Sequence, residues 1–117
     1  MKYLMLMFAN ESAGPQTPEE LEAAGPKWWE MLQEMKSAGV LVDNNGVAPG
    51  TNATTVRVRE GKSMITDGPF AETHEQVGGY FVLDCENLDE ALGWAAKIPT
   101  ASYGSIEVRP LWAPDQE

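Results

Sequence analysis

Apolar positions along the chain fall into short runs separated by turn-forming residues. Residues 2–9 are almost continuously apolar, and neighbours in a strand point to opposite faces, so this segment predicts a strand buried on both sides. Thr17-Pro18-Glu19-Glu20 then has the marks of a helix start: a threonine N-cap, proline at the first helical position and a glutamate that closes a capping box. Leu21, Trp28, Leu32 and Met35 recur at helical spacing and predict one apolar face. Gly25-Pro26 is expected to kink that helix or split it in two, and Gly39 to end it. A short strand is expected over 40–42, then a turn-rich stretch over 43–53. Residues 54–59 alternate, with Val56 and Val58 on one face and Thr55, Arg57 and Arg59 on the other. Glu60-Gly61 sits where a hairpin turn belongs, Gly61 supplying the positive φ, and 63–67 return.

After a loop over 68–77, residues 79–83 repeat the two-sided apolar pattern. Asn87-Leu88-Asp89-Glu90 predicts a second capping box, opening a helix with Leu88, Ala91, Leu92 and Ala95 inward and stopped at Pro99. A last strand is expected over 105–111, then an acidic tail over 113–117. The order β-α-β, hairpin, β-α-β is an α+β, ferredoxin-like sandwich with an extra β-hairpin, in a single domain over 1–112. Two helices cover only one face of a sheet, yet the strands at 3–8 and 80–83 are apolar on both. A second copy packed sheet to sheet would bury the other face, so the expected assembly is a homodimer closed as a dimeric α+β barrel. Trp29 and Trp94 lie off the inward stripes, available to an interface or simply part-exposed.

Composition narrows the function classes. Eight basic against eighteen acidic residues give a net charge of −10, which argues against direct nucleic-acid binding, since phosphate contacts need clustered Lys and Arg. No apolar run approaches the roughly 20 residues of a membrane span, and the apolar start lacks a small-residue cleavage site. The expected compartment is therefore the cytoplasm. One cysteine, Cys85, excludes a disulfide framework and a cysteine zinc cage within the chain, and reads as a reduced, buried thiol.

The segment with most chemistry is Asp67-Gly68-Pro69-Phe70-Ala71-Glu72-Thr73-His74-Glu75-Gln76, followed by Gly78-Gly79. An aspartate in a turn usually accepts from the N–H two residues on, but Pro69 has none. Asp67 must reach Phe70 N–H, face solvent or serve a partner; it reads as a loop-fixing turn residue or as a pocket carboxylate. His74 is the only histidine, so imidazole acid/base chemistry would use it, with Asp67, Glu72 or Glu75 near in sequence. A solvated surface histidine is the other reading. Asp67 and His74 are the catalytic candidates; Arg57, Phe70 and Tyr80 are the ligand-binding candidates, Phe70 and Tyr80 as walls, with Phe70 also read as an anchor that pins the loop to the core. Arg57 and Arg59 could hold a carboxylate substrate or pair with acidic neighbours across the sheet. Gly78-Gly79 marks close approach by a backbone or a ligand. No metal site and no cofactor is expected, because no phosphate loop, dinucleotide fingerprint or converging ligand set is present.

Asp67-Gly68-Pro69-Phe70 with its continuation to Tyr80, preceded by Thr54-Thr55-Val56-Arg57-Val58-Arg59 and followed by Leu88-Asp89-Glu90-Ala91 and Ser105-Ile106-Glu107-Val108-Arg109-Pro110, resembles the DGPF branch of the YciI-related proteins. The likeness runs from Met1 to Leu111. It implies a dimeric α+β barrel of ferredoxin-like protomers and leaves the activity open. Some relatives have a histidine in the first helix paired with a downstream aspartate; here that helix has Trp28-Trp29 and no histidine. The branch is often encoded beside extracytoplasmic-function sigma factors, which implies a sigma factor as a partner. The expectations are thus an enzyme-like or ligand-binding homodimer with a small-molecule pocket near 67–70, or a non-catalytic regulatory partner of a sigma factor.

Overall fold

Two βαβ units interleave to make one four-stranded sheet. A computed structural model describes residues 1–70 and 74–112. Strands β1 (Lys2–Ala9), β2 (Leu41–Gly46), β5 (Gln76–Asp84) and β6 (Ser105–Pro110) stand in the order β2-β5-β1-β6, every neighbour antiparallel. Helix α1 (Pro18–Ser37) joins β1 to β2, and α2 (Leu88–Lys97) joins β5 to β6. Each unit is split by a strand of the other, the ferredoxin-like α+β arrangement expected. Strands β3 (Thr54–Arg59) and β4 (Lys62–Asp67) pair only with each other and form the extra hairpin.

The core lies on one face of the sheet. Tyr3, Met5 and Met7 of β1 and Phe81 and Leu83 of β5 meet Met31 and Met35 of α1 and Ala91 and Ala95 of α2. Burying each of the larger side chains contributes about 1.5–3 kcal/mol. Cys85 is buried beside them, and burial, followed by the nearby Glu90 and Asp84 carboxylates, pushes its thiol pKa up, so it stays protonated and unreactive. The opposite face turns out Leu4, Leu6 and Phe8 of β1 with Tyr80 and Val82 of β5, all half-buried and uncovered by either helix.

Both helix starts form where the sequence places them. Thr17 Oγ1 accepts from Glu20 N–H at 3.1 Å and Glu20 Oε1 from Thr17 N–H at 3.3 Å, a complete capping box worth about 1 kcal/mol. At α2 only half the expected box exists. Asn87 Oδ1 accepts from Glu90 N–H, but the Glu90 carboxylate accepts from Glu86 N–H instead.

Three expectations are corrected. The first is the split at Gly25-Pro26, one of the two outcomes expected there: α1 is one helix through Pro26. A proline ring normally forces the residue before it out of the helical region by striking its Cβ, and Gly25 has none. The carbonyl that Pro26 leaves without a donor belongs to Glu22, which is exposed to water. Gly25→Ala should therefore reverse the usual sign. Glycine to alanine inside a helix gains up to about 1 kcal/mol, and a Cβ here meets nothing outside its chain neighbours. Against Pro26 we expect a loss of about 1 kcal/mol, read as a lower urea midpoint.

The second correction concerns β2, which continues through Asn44-Asn45-Gly46 although those residues carry turn chemistry. Tertiary pairing overrides the local preference: Asn45 and Gly46 lie opposite Tyr80 and Gly79 of β5. The close approach marked by Gly78-Gly79 is made by backbone, since a Cβ on Gly79 would fall 2.7 Å from Asn45 O and 2.6 Å from Met7 Cε. The third concerns the inward stripes. Leu21, Leu88 and Leu92 are exposed, whereas Trp94 packs against the core.

Candidate functional site

The apolar stripe on α1 meets the sheet only from Trp28 onward. Met31 and Met35 are buried and Trp28 packs against the core, while Leu21 is 57% exposed and Ala24 and Gly25 border open space. Between this front half and the ends of β1, β2 and β5 lies a cleft of about 670 Å³. Trp28, stacked on Phe81 with ring planes 3° apart and centroids 6.4 Å apart, forms one wall. Met7 and Thr100 are at its floor, where Thr100 Oγ1 donates to Met7 Sδ at 3.7 Å.

The polar groups of the cleft are mostly uncharged. Asn10, Gln16, Asn44, Asn45 and Gln76 supply amides and Tyr80 and Tyr103 phenols; among the described residues Glu11 is the one carboxylate and no cation lines it. Glu11 Oε1 accepts from Gly50 N–H at 3.0 Å, tying the loop after β1 to the one after β2. Gly50 is crowded from three sides, its Cβ position lying 3.2 Å from Gln76 Oε1 and 3.5 Å from Pro69 Cγ. Three loops therefore converge at Gly50. A second, shallower cavity of about 480 Å³ opens there, lined by Gly68, Pro69 and His74 and sharing Asn10, Glu11 and Gln76 with the first.

The five sequence-derived candidates do not form one constellation. His74 lines the second cavity and is exposed. Asp67 ends β4 opposite Thr54, its carboxylate facing solvent and bonded to nothing among the described residues, and it lines neither cavity. The turn after it is held by backbone, Gly68 N–H donating to Ala53 O at 2.7 Å and Thr55 Oγ1 to Gly68 O at 2.8 Å, with Gly68 at φ 99°. Arg57 lies over the Phe70 ring at 4.9 Å, and Phe70 is 72% exposed. Phe70 is thus no core anchor; it packs under a guanidinium. The acidic cross-strand partners weighed for Arg57 and Arg59 are absent, since Met64 and Lys62 stand opposite them. Tyr80 is on the uncovered sheet face, its hydroxyl donating to Asp43 Oδ2 at 2.8 Å and accepting from Asn45 Nδ2 at 3.1 Å, and it reaches the edge of the larger cleft. Glu72, named beside His74, lies outside the described residues, as does the tail over 113–117.

Sequence reasoning missed the cleft itself. Leu21 and Trp28 were visible as an inward stripe, but nothing in the spacing says how far a stripe stands from its sheet. Among the described residues no group of three or more His, Cys, Asp or Glu is placed to hold a metal ion, and no helix is long and apolar enough to cross a membrane.

Comparison with known proteins gives three findings. The family model described as the YCII-related domain matches residues 1–114. An uncharacterized protein of Rhizobium meliloti (strain 1021) is 39% identical over 114 residues, covering 95% of this chain and 92% of that protein. Among solved structures, 5-chloro-2-hydroxyhydroquinone dehydrochlorinase from Burkholderia phenoliruptrix AC1100, in complex with 2,5-dihydroxybenzoquinone, aligns over 99% of this chain and 98% of its own at a TM-score of 0.48 and 11% identity.

Proposed function

The chain belongs to the YCII-related family, and from that premise we propose that it is a homodimeric protein that binds an uncharged, largely apolar small molecule in the cleft between α1 and the sheet. One observation carries the binding site: beyond Trp28, which packs on Phe81, the apolar stripe of α1 runs on past the core into open space at Ala24 and Leu21. Helices bury such stripes, and pockets combine an apolar lining with a few placed polar groups. Asn10, Glu11 and Gln76 would take the ligand's polar end, and His74, across the wall they share, would be the proton-transferring group in reach. Asp67 in this reading ends β4 facing solvent and does not touch the ligand. An anionic ligand is disfavoured by Glu11 and the net charge. The dimer is supported by Leu4, Leu6, Phe8 and Val82 on the uncovered face, which a two-fold copy of the same face would bury.

The test is a thermal-shift screen of the purified protein against a library of uncharged metabolites, with Ala24→Trp, His74→Ala and Asp67→Asn in parallel. A ligand at 100-fold its dissociation constant adds about 2.7 kcal/mol, a rise of roughly 10 °C. We expect hits in the wild type and in Asp67→Asn, weakened about tenfold in His74→Ala and lost in Ala24→Trp. Hits that survive Ala24→Trp would move the site out of the cleft. The regulatory alternative, a sigma-factor partner implied by the resemblance, draws in this chain on the acidic surplus, which would suit a basic protein patch. Its check is co-purification of the two expressed together.

A further inference from the structure

The hairpin β3–β4 is an arm that stands off its own protomer. All of its strand residues but Thr55 are exposed, and neither strand pairs with the main sheet. The chain's radius of gyration is 16.4 Å, where a compact chain of this length has about 13 Å. A two-stranded hairpin alone in water is marginal and is normally stabilised by packing. This one is nevertheless regular: six cross-strand pairs run without a bulge, and Glu60 and Gly61 close it with positive φ at both turn positions.

Its two faces differ. The register puts Val56, Val58 and Ile65 on one face, with Ile65 71% exposed. Arg57, Arg59 and Lys62 share the other with Met64. Three of the chain's eight basic residues but only two of its eighteen acidic ones lie in 54–67. The arm is therefore a cationic, apolar-faced element on a strongly acidic body, and its charge complement is the rest of this same chain. It does not lie on its own body: the Gly68–Ala53 and Thr55–Gly68 hydrogen bonds close the base of the hairpin on itself, and neither strand pairs with the main sheet.

We propose that the arm docks on the second copy of the chain, laying Val56, Val58 and Ile65 against the partner and presenting its cations to the partner's acidic surface. Two arms exchanged about a two-fold axis make a closed, self-complementary assembly. The inference rests on the homodimer of the preceding section and adds the arm to the sheet face as a separate contact.

Sedimentation equilibrium of the full chain tests it, using wild type, the double variant Val56→Asp/Ile65→Asp, Arg59→Glu, and Leu6→Asp on the sheet face. All three arm positions are exposed in the protomer, so far-UV circular dichroism should not change. The double variant is expected to raise the dimer dissociation constant at least 100-fold, and Arg59→Glu about tenfold. A double variant that associates within threefold of wild type overturns the arm contact, leaving the arm for some other partner while the dimer stands. Loss of dimer in the arm variant but not in Leu6→Asp supports the arm and overturns the sheet-face reading. A wild type monomeric at all concentrations overturns both.

Discussion

Gly104→Ala is expected to cost about 4 kcal/mol or more, enough to unfold most molecules of a domain whose total stability is on the order of 5–15 kcal/mol. The reason is room. A Cβ at 104 would fall 2.1 Å from the carbonyl oxygen of Phe8, 2.9 Å from Ala9 Cβ and 3.1 Å from Ala9 Cα. Two of those atoms are backbone, and the carbonyl belongs to the residue facing Ser105 at the start of the β1–β6 pairing. Gly104 is held from the other side by its own N–H, which donates to Thr100 O at 2.7 Å. Relief would mean parting β6 from β1 or breaking the 3₁₀ turn Pro99–Ser102, and Thr100 of that turn is buried against the core. Urea unfolding monitored by circular dichroism measures the loss. The companion Gly14→Ala is different, because its obstacle is the movable ring of Tyr103 and its cost is that of a positive φ of 76°.

Ala24→Trp is expected to abolish small-molecule binding, with affinity falling at least 100-fold, or about 2.7 kcal/mol, while stability moves by less than about 1 kcal/mol. Ala24 is half-buried on the α1 stripe between Leu21 and Trp28 and already faces the cleft. A larger side chain there enters open volume, so it displaces ligand without parting protein atoms. Tryptophan lowers helix propensity only by tenths of a kcal/mol, and new contacts with the cleft wall offset that. The pairing of outcomes is informative: large binding loss with preserved stability identifies a ligand site, whereas joint loss of both would mean that the front of α1 packs on the sheet as core.

Much of this molecule could be read from its residues, and the misses have local causes. The six strands, both helices and the first capping box follow from alternation, helical spacing and the Thr17–Glu20 pair. The continuity of α1 was hidden because Pro26 is a strong breaker signal while the release lies in the missing Cβ of Gly25. The extension of β2 was hidden because Asn44-Asn45-Gly46 reads as a turn; its strand conformation is imposed by β5, with Tyr80 bonding Asp43 and Asn45. Phe70 looked like an anchor because a phenylalanine in a polar loop usually enters a core; here a guanidinium covers it. Asp67 and His74 were found as chemistry-bearing residues in one segment, but sequence proximity did not bring them to one cavity. The cleft depends on how far the front of α1 stands from the sheet, a tertiary distance to which no residue pattern corresponds.

A ligand cleft under the front half of α1 can be probed through ¹H–¹⁵N spectra of the indole N–H groups during titration with a library of small aromatic and aliphatic fragments. The chain has four tryptophans, and they report on different places: Trp28 lines the cleft, Trp94 packs beside Lys97, and Trp29 and Trp112 are exposed. The account expects fragments that shift Trp28 saturably, leave Trp29 and Trp94 in place, and lose their effect in Ala24→Trp. Fragments that bind while Trp28 stays still, or a library that moves no indole at all, would contradict it.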